Sequence, residues 1–382
     1  MYSARALSHN GAMSSTHAEK VRRRVEGSTA AGLGVAEYAE SVLDLLREAV
    51  PYDAVCLATS DPATGLLTGR YHIDLGDSRD AEFAHLEYEV DDVNLFRDVA
   101  ARPRPVGVLD LDTSGAPETS VRWREFLMPH FGIRHELRAA FRADAQVWGL
   151  IGMYRGSSTS GFSPAEADFI AGLSDTVARG LRAAIVTSAA TGERDHRDGP
   201  AVVIVGPDGT VRSATPAALA HLADLGSADA DQLPMPLHAL VSATRAFRDG
   251  RRVAAPRTRI RMAGGEWLVL HAAPLASADA AGGDVVVTME PARPPDVVPL
   301  VVAAHGLTER EQDVIRLVLA GASTNEIGRT LHLSPYTVQD HLKSIFDKTG
   351  VRSRRELTAG VFFDHYAPRI GSALTPSGWF AS

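Results

Sequence analysis

Between about Val35 and Ile185 the spacing of apolar positions changes from helical to strand-like and back. AVCLAT, a turn from Pro62 to Gly65, and LLTGRYHI read as one antiparallel hairpin. ELRAAFR and WGLIGMYR, across a short polar turn, read as a second. A long closing helix follows, with Ser163 at its N-cap, Pro164 at the first helical position and Glu166 placed to complete a capping box. Ile170, Leu173, Val177, Leu181 and Ile185 then recur at three- or four-residue steps as one stripe. That stripe either packs on its own sheet or pairs two copies; the first is favoured, because coiled coils need longer heptad runs. These signals predict an α+β domain over 35–187.

A smaller module is expected over 201–290. AVVIV, a Pro207-Asp208-Gly209 turn and TVRS lead to a helix capped by Thr215 with Pro216 after it. RTRIRM, an Ala263-Gly264-Gly265 turn, EWLVLHAAPL and DVVVTME complete an antiparallel sheet. SAATGERDHRDGP breaks all periodicity and reads as a linker at 188–200, and the proline-rich PARPPDVVP as a semi-rigid linker at 291–304. Residues 1–34 show no period and are expected to be disordered, with Met13 available as a second start; 366–382 form a tail.

The C-terminal region is written differently. Thr308 with Glu311, Ser323 with Glu326 and Ser353 with Glu356 each have capping-box spacing, which predicts the starts of short helices between Leu307 and Leu357. Gly321 suits a left-handed C-terminal cap, and Ser334 with Pro335 opens a further helix after the turn HLS. In YTVQDHLKSIFDKTG, Val338, Leu342 and Ile345 face a core, while Tyr336, Gln339, Asp340, Lys343 and Asp347 lie opposite. Two helices joined by a tight turn, the second amphipathic, match the geometry that enters a DNA major groove.

Composition narrows the function classes. The net charge is −8, so a nucleic-acid surface has to be local. From Arg329 to Arg355 the balance is positive: Arg329, Lys343, Lys348, Arg352, Arg354 and Arg355 stand against Asp340 and Asp347. The single cysteine, Cys56, excludes an intrachain disulfide and multi-cysteine zinc sites, and reads as a small buried apolar residue. No apolar run of about 18 residues and no signal peptide is visible, so a cytoplasmic protein without membrane contact is expected. His72, His85, His130 and His135 lack the short paired spacing of metal sites and are expected to be solvated or hydrogen-bonded. Trp123, Phe131, Phe141, Trp148 and Tyr154 are read as core before pocket lining. No catalytic string, phosphate-cradling loop or cofactor motif supports an enzyme.

LTEREQDVIRLVLAGASTNEIGRTLHLSPYTVQDHLKSIFDKTGVRSRREL resembles the LuxR-type helix-turn-helix over about fifty residues. The resemblance implies an all-α four-helix domain at 305–365 whose helix 335–349 reads double-stranded DNA, usually from a homodimer. It places Gln339, Asp340 and Lys343 toward base edges or phosphates, Thr324, Tyr336 and Thr337 near the backbone, and Arg352 as an auxiliary contact. Asp340 repels phosphate but can accept from a cytosine amino group. Gly328 and Thr349 depart from the usual alanine and leucine; a helical glycine costs about 0.5–1 kcal/mol relative to alanine. His341 reads as a core or capping residue.

Upstream, 35–187 is similar in layout to a GAF sensor domain, and WREFLMPHFGIRHELRAAF resembles the corresponding stretch of actinobacterial regulators of this architecture. VVIVGPDGTVRSATPAAL makes 201–290 resemble PAS. The expected architecture is therefore multidomain α+β: GAF-like and PAS-like antiparallel-sheet domains, then the helical DNA-binding domain. It implies a transcription regulator, with an unknown small-molecule ligand as a partner of the GAF-like domain. The rivals are a scaffold that works through protein partners and an enzyme with an upstream site.

Overall fold

The computed structural model describes residues 15–357 apart from 76–78, 157–158, 188–198, 227–231, 253–255, 263–265, 277–282, 293–295, 297–299 and 301–303. The expected linker at 188–200 lies almost wholly outside these residues, and the expected tail entirely so.

The first unit opens with α1 (Ser15–Thr29) and α2 (Val35–Ala49). Residues 15–29 therefore correct the expectation of disorder. Val21 and Val25, one helical turn apart, are fully buried and join the core formed with α2. So few apolar positions among charged ones give no legible period in the sequence.

The hairpin β1 (Ala54–Ser60) and β2 (Leu67–Ile73) is followed by α3 (Asp80–Tyr88), α4 (Phe96–Ala101), β3 (Val106–Val108), α5 (Leu109–Asp112) and α6 (Met128–Phe131). Strands β4 (Ile133–Ala143) and β5 (Gln146–Gly156) form the second hairpin. Its two turn residues, Asp144 and Ala145, have φ of 51° and 62°. Both left-handed is what a type I′ turn requires. The sheet order is β2-β1-β5-β4-β3, antiparallel throughout. The irregular middle is held by buried ion pairs, Arg122 to Glu136 and Arg138 to Glu87, both at 2.6 Å.

The closing helix is two helices, α7 (Pro164–Gly172) and α8 (Ser174–Thr187). At the break the Ser174 hydroxyl donates to the Ala140 carbonyl and accepts from the Arg142 amide, tying the helix start to β4. Ile170, Leu173, Val177 and Leu181 are fully buried in the core over this sheet.

The second sheet contains β6 (Ala201–Val205), β7 (Val211–Ala214), β8 (Arg257–Arg261), β9 (Trp267–Pro274) and β10 (Val285–Pro291), with α9 (Pro216–Asp224) and α10 (Met235–Arg248) between β7 and β8. Its order, β7-β6-β10-β9-β8, repeats that of the first sheet. The two units interlock. Asp61 of the β1–β2 turn takes a bidentate pair from the Arg259 guanidinium, at 2.6 and 2.9 Å, and accepts the Arg259 amide at 3.0 Å. Leu66, from the same turn, is buried in the core of the second unit.

Of the linker expected at 291–304, residues 293–295, 297–299 and 301–303 lie outside the described residues, and its exposed character is corrected at Leu300 and Ala304. Asp296, Leu300 and Ala304 occupy helical positions, and Leu300 and Ala304 are buried in the core of the first unit. Leu300 and Ala304 lie four residues apart, and burying them outweighs the freedom of a tether.

Candidate nucleic-acid interface

Three helices form the C-terminal unit: α11 (Glu309–Leu319), α12 (Thr324–Leu331) and α13 (Pro335–Thr349); Arg354–Leu357 begin a further helical turn. The capping boxes at Thr308/Glu311 and Ser323/Glu326 are both present, and the Ser334 hydroxyl accepts the Thr337 amide at 3.0 Å. Leu307, Val314, Ile315, Val318, Ile327, Val338, Leu342, Ile345 and Leu357 form the core. Val338, Leu342 and Ile345 turn inward with Phe346 packed beside them, and Tyr336, Gln339, Asp340, Lys343 and Asp347 are left exposed on the other side of α13.

Tyr336 is 78 % exposed. Gln339, Asp340 and Lys343 are exposed along the same outer surface of α13. The Gln339 amide nitrogen lies 3.5 Å from the Thr324 hydroxyl, so the first residue of α12 and the outer face of α13 meet. Thr337 sits under this face, half-buried, its hydroxyl 2.8 Å from that of Ser334. Arg352 is exposed beyond the left-handed Gly350 that ends α13. Its backbone amide donates to Glu356 at 2.7 Å. His341 is half-buried behind the outer face.

The positive balance in this region is divided between two tasks. Lys348 donates to Glu311 at 2.6 Å, and Arg354 donates to the Ala322 carbonyl. Both are spent inside the domain. Arg329, Lys343, Arg352 and Arg355 are exposed and make no ion pair among the described residues.

Glu311 is the residue whose importance spacing alone understated. Beyond its cap contact to the Thr308 amide at 2.7 Å, it accepts from Lys348 and from the Ser344 hydroxyl, each at 2.6 Å. One buried carboxylate thus fixes the rotation of α13 against α11. Burial raises its pKa, but the bonds from Lys348, Ser344 and Thr308 outweigh that and hold it at about 2. The available signal was a carboxylate at a cap facing a serine and a lysine four apart on the opposing helix.

The two departures acquire local reasons. The Gly328 carbonyl accepts the amides of His332 and Leu333, and a Cβ at 328 would lie 2.8 Å from the Leu333 carbonyl oxygen. Glycine therefore lets the turn fold back tightly on α12. The Thr349 hydroxyl is satisfied by the Ile345 carbonyl at 2.7 Å.

In the first unit, Phe131 and Tyr154 line a cavity of about 60 Å³, together with Cys56, Phe126 and the Arg70–Asp80 ion pair. Phe141 and Trp148 lie instead in the core across the sheet, and Trp123 donates to the Arg134 carbonyl. Burial pushes the Cys56 thiol up to about 12, far from a reactive thiolate. His85, His130 and His135 face Glu89, Glu82 and Asp110.

Comparison with known families turns on the same residues. Residues 305–360 match the family of bacterial regulatory proteins of the luxR type, and residues 35–181 match the GAF domain. The chain carries a GAF domain followed by a LuxR-family helix-turn-helix domain. Within the LuxR-type domain it is 42% identical over 50 residues to the CsgBAC operon transcriptional regulatory protein of Escherichia coli, covering 13% of this chain and 23% of that one. It is 43% identical over 53 residues to the monoamine regulon transcriptional regulator of Klebsiella aerogenes, covering 14% and 23%. A regulator of Mycobacterium bovis named as HTH-type is 47% identical over 51 residues. The matched stretch is 13% of this chain and only 6% of the length of that relative. The GAF domain of a phosphoenolpyruvate-protein phosphotransferase from Coxiella burnetii aligns at 15% identity and a TM-score of 0.28, over 44% of this chain and 93% of that one. That score adds nothing to the assignment. Among the described residues no helix is long and apolar enough to cross a membrane.

Proposed function

We propose that this protein is a transcription regulator that binds double-stranded DNA by laying α13 in the major groove. The observation that carries the reading is the outward face of α13, where Tyr336, Gln339, Asp340 and Lys343 are exposed among the described residues. Gln339 and Lys343, one turn apart, reach base edges or phosphate; Thr324, Tyr336 and Thr337 lie against the backbone; Arg352 adds a phosphate contact. The protein acts in the cytoplasm as a homodimer, one copy per half-site, and catalyses no reaction.

The upstream units regulate that act. The repeated strand order of the second sheet supports reading 201–290 as PAS-like, since its elements follow one another as those of the GAF domain do. A signal acts by binding two arrangements of these units with different affinity.

A gel-shift titration with genomic fragments at several salt concentrations tests this. Affinity is expected to fall steeply with salt, and Lys343→Ala to reduce the log–log slope by about one. Binding that ignores salt and the substitution would favour a scaffold that works through protein partners.

A further inference from the structure

Sensor domains report a signal by holding it, yet the interior cavity of the GAF domain is about 60 Å³, room for a few waters. A larger space lies elsewhere. Between the GAF domain and the second unit is a cleft of about 410 Å³, within the size range of small-molecule sites. One wall is the β1–β2 turn with Leu66, Tyr88, Phe96 and Val147; the other is Arg251, Arg252 and Pro256.

The charges of the cleft do not cancel. Arg97 at its rim is paired with Asp91 and Asp98. Glu87 is engaged by Arg138 and by the Phe96 amide. Arg252 donates to the Thr64 carbonyl at 3.2 Å and stands 6.0 Å from the centre of the Tyr88 ring. Neither Arg251 nor Arg252 makes an ion pair among the described residues. Burial, followed by the nearby Arg97, pushes the Arg252 pKa down against the opposing pull of Tyr88, as expected for a partly desolvated cation without a counter-charge. Apolar walls with two uncompensated guanidinium groups at one end specify a ligand of matching design.

We propose that this interdomain cleft binds an organic anion with an apolar body, its acidic group against Arg251 and Arg252. Because its walls come from both units, occupancy adds to the Asp61–Arg259 contact that joins them, which gives a bound ligand a route to the rest of the chain. The site does not depend on the DNA reading and is tested without DNA.

The probe is 8-anilinonaphthalene-1-sulfonate, an aromatic sulfonate that fluoresces when desolvated, titrated into the full-length protein. N-phenyl-1-naphthylamine, the same skeleton without the acid, serves as the neutral control. Arg251 is exposed, so Arg251→Glu is compatible with folding. Saturable sulfonate binding is expected, weakened about tenfold or more by Arg251→Glu while the neutral probe is unaffected. A weaker effect on the sulfonate, equal loss of both probes, or no saturable binding by the wild type would overturn the proposal.

Discussion

Glu311 carries two loads with one carboxylate: it closes the cap of α11 and anchors α13 through Ser344 and Lys348. Its folded pKa of about 2 lies below the unfolded value of about 4.3, so its contribution is complete above the unfolded value and is lost as pH falls toward 2. Glu311→Gln is therefore expected to cost about 2 kcal/mol or more at neutral pH, with the gap from wild type at least halved by about pH 3. Denaturant unfolding followed by circular dichroism reads both values; a pH-independent gap would show that the carboxylate charge contributes nothing. The neighbouring lysines divide accordingly. Lys348→Ala is expected to lower stability, whereas Lys343→Ala should leave stability within about 0.5 kcal/mol and weaken DNA binding. The sequence shows both as cations of one helix. Which of them is consumed depends on a carboxylate 37 residues away from Lys348, and no local pattern reports that.

Elements were legible where their ends are chemically marked. Three serine or threonine caps set the starts of α11, α12 and α13, because a hydroxyl there satisfies an amide that nothing else in the chain can reach. The same logic found Ser163 but not the break after Gly172, since Ser174 bonds β4, a long-range partner. Helix α1 was missed because two buried valines do not make a period. The β4–β5 turn holds an alanine in the left-handed region, where a side chain is strained. Ala145→Gly is expected to raise stability by up to about 1 kcal/mol in thermal unfolding; a loss would mean that the methyl group packs usefully in the turn.

At the scale of the whole molecule the sequence marked the succession of units but not their contacts. The Asp61–Arg259 pair joins residues 198 apart, and Leu300 and Ala304 return to the GAF domain core from a stretch that reads as a tether. Asp61→Asn leaves the Arg259 guanidinium buried without its full counter-charge, at a cost of roughly 3 kcal/mol. Calorimetry is expected to show a lower first transition with the two units melting apart, while a single unshifted transition would indicate that the interface contributes no cooperativity. If the units do regulate α13, the same substitution alters DNA affinity without touching a DNA-facing residue.

The most direct measurement for the central claim is selection of bound duplexes from a random DNA pool by the full-length protein and by its Lys343→Ala variant. The α13 interface predicts a symmetric consensus from the wild type, with weaker enrichment in the variant. Failure of the folded wild-type protein to enrich any sequence would contradict it.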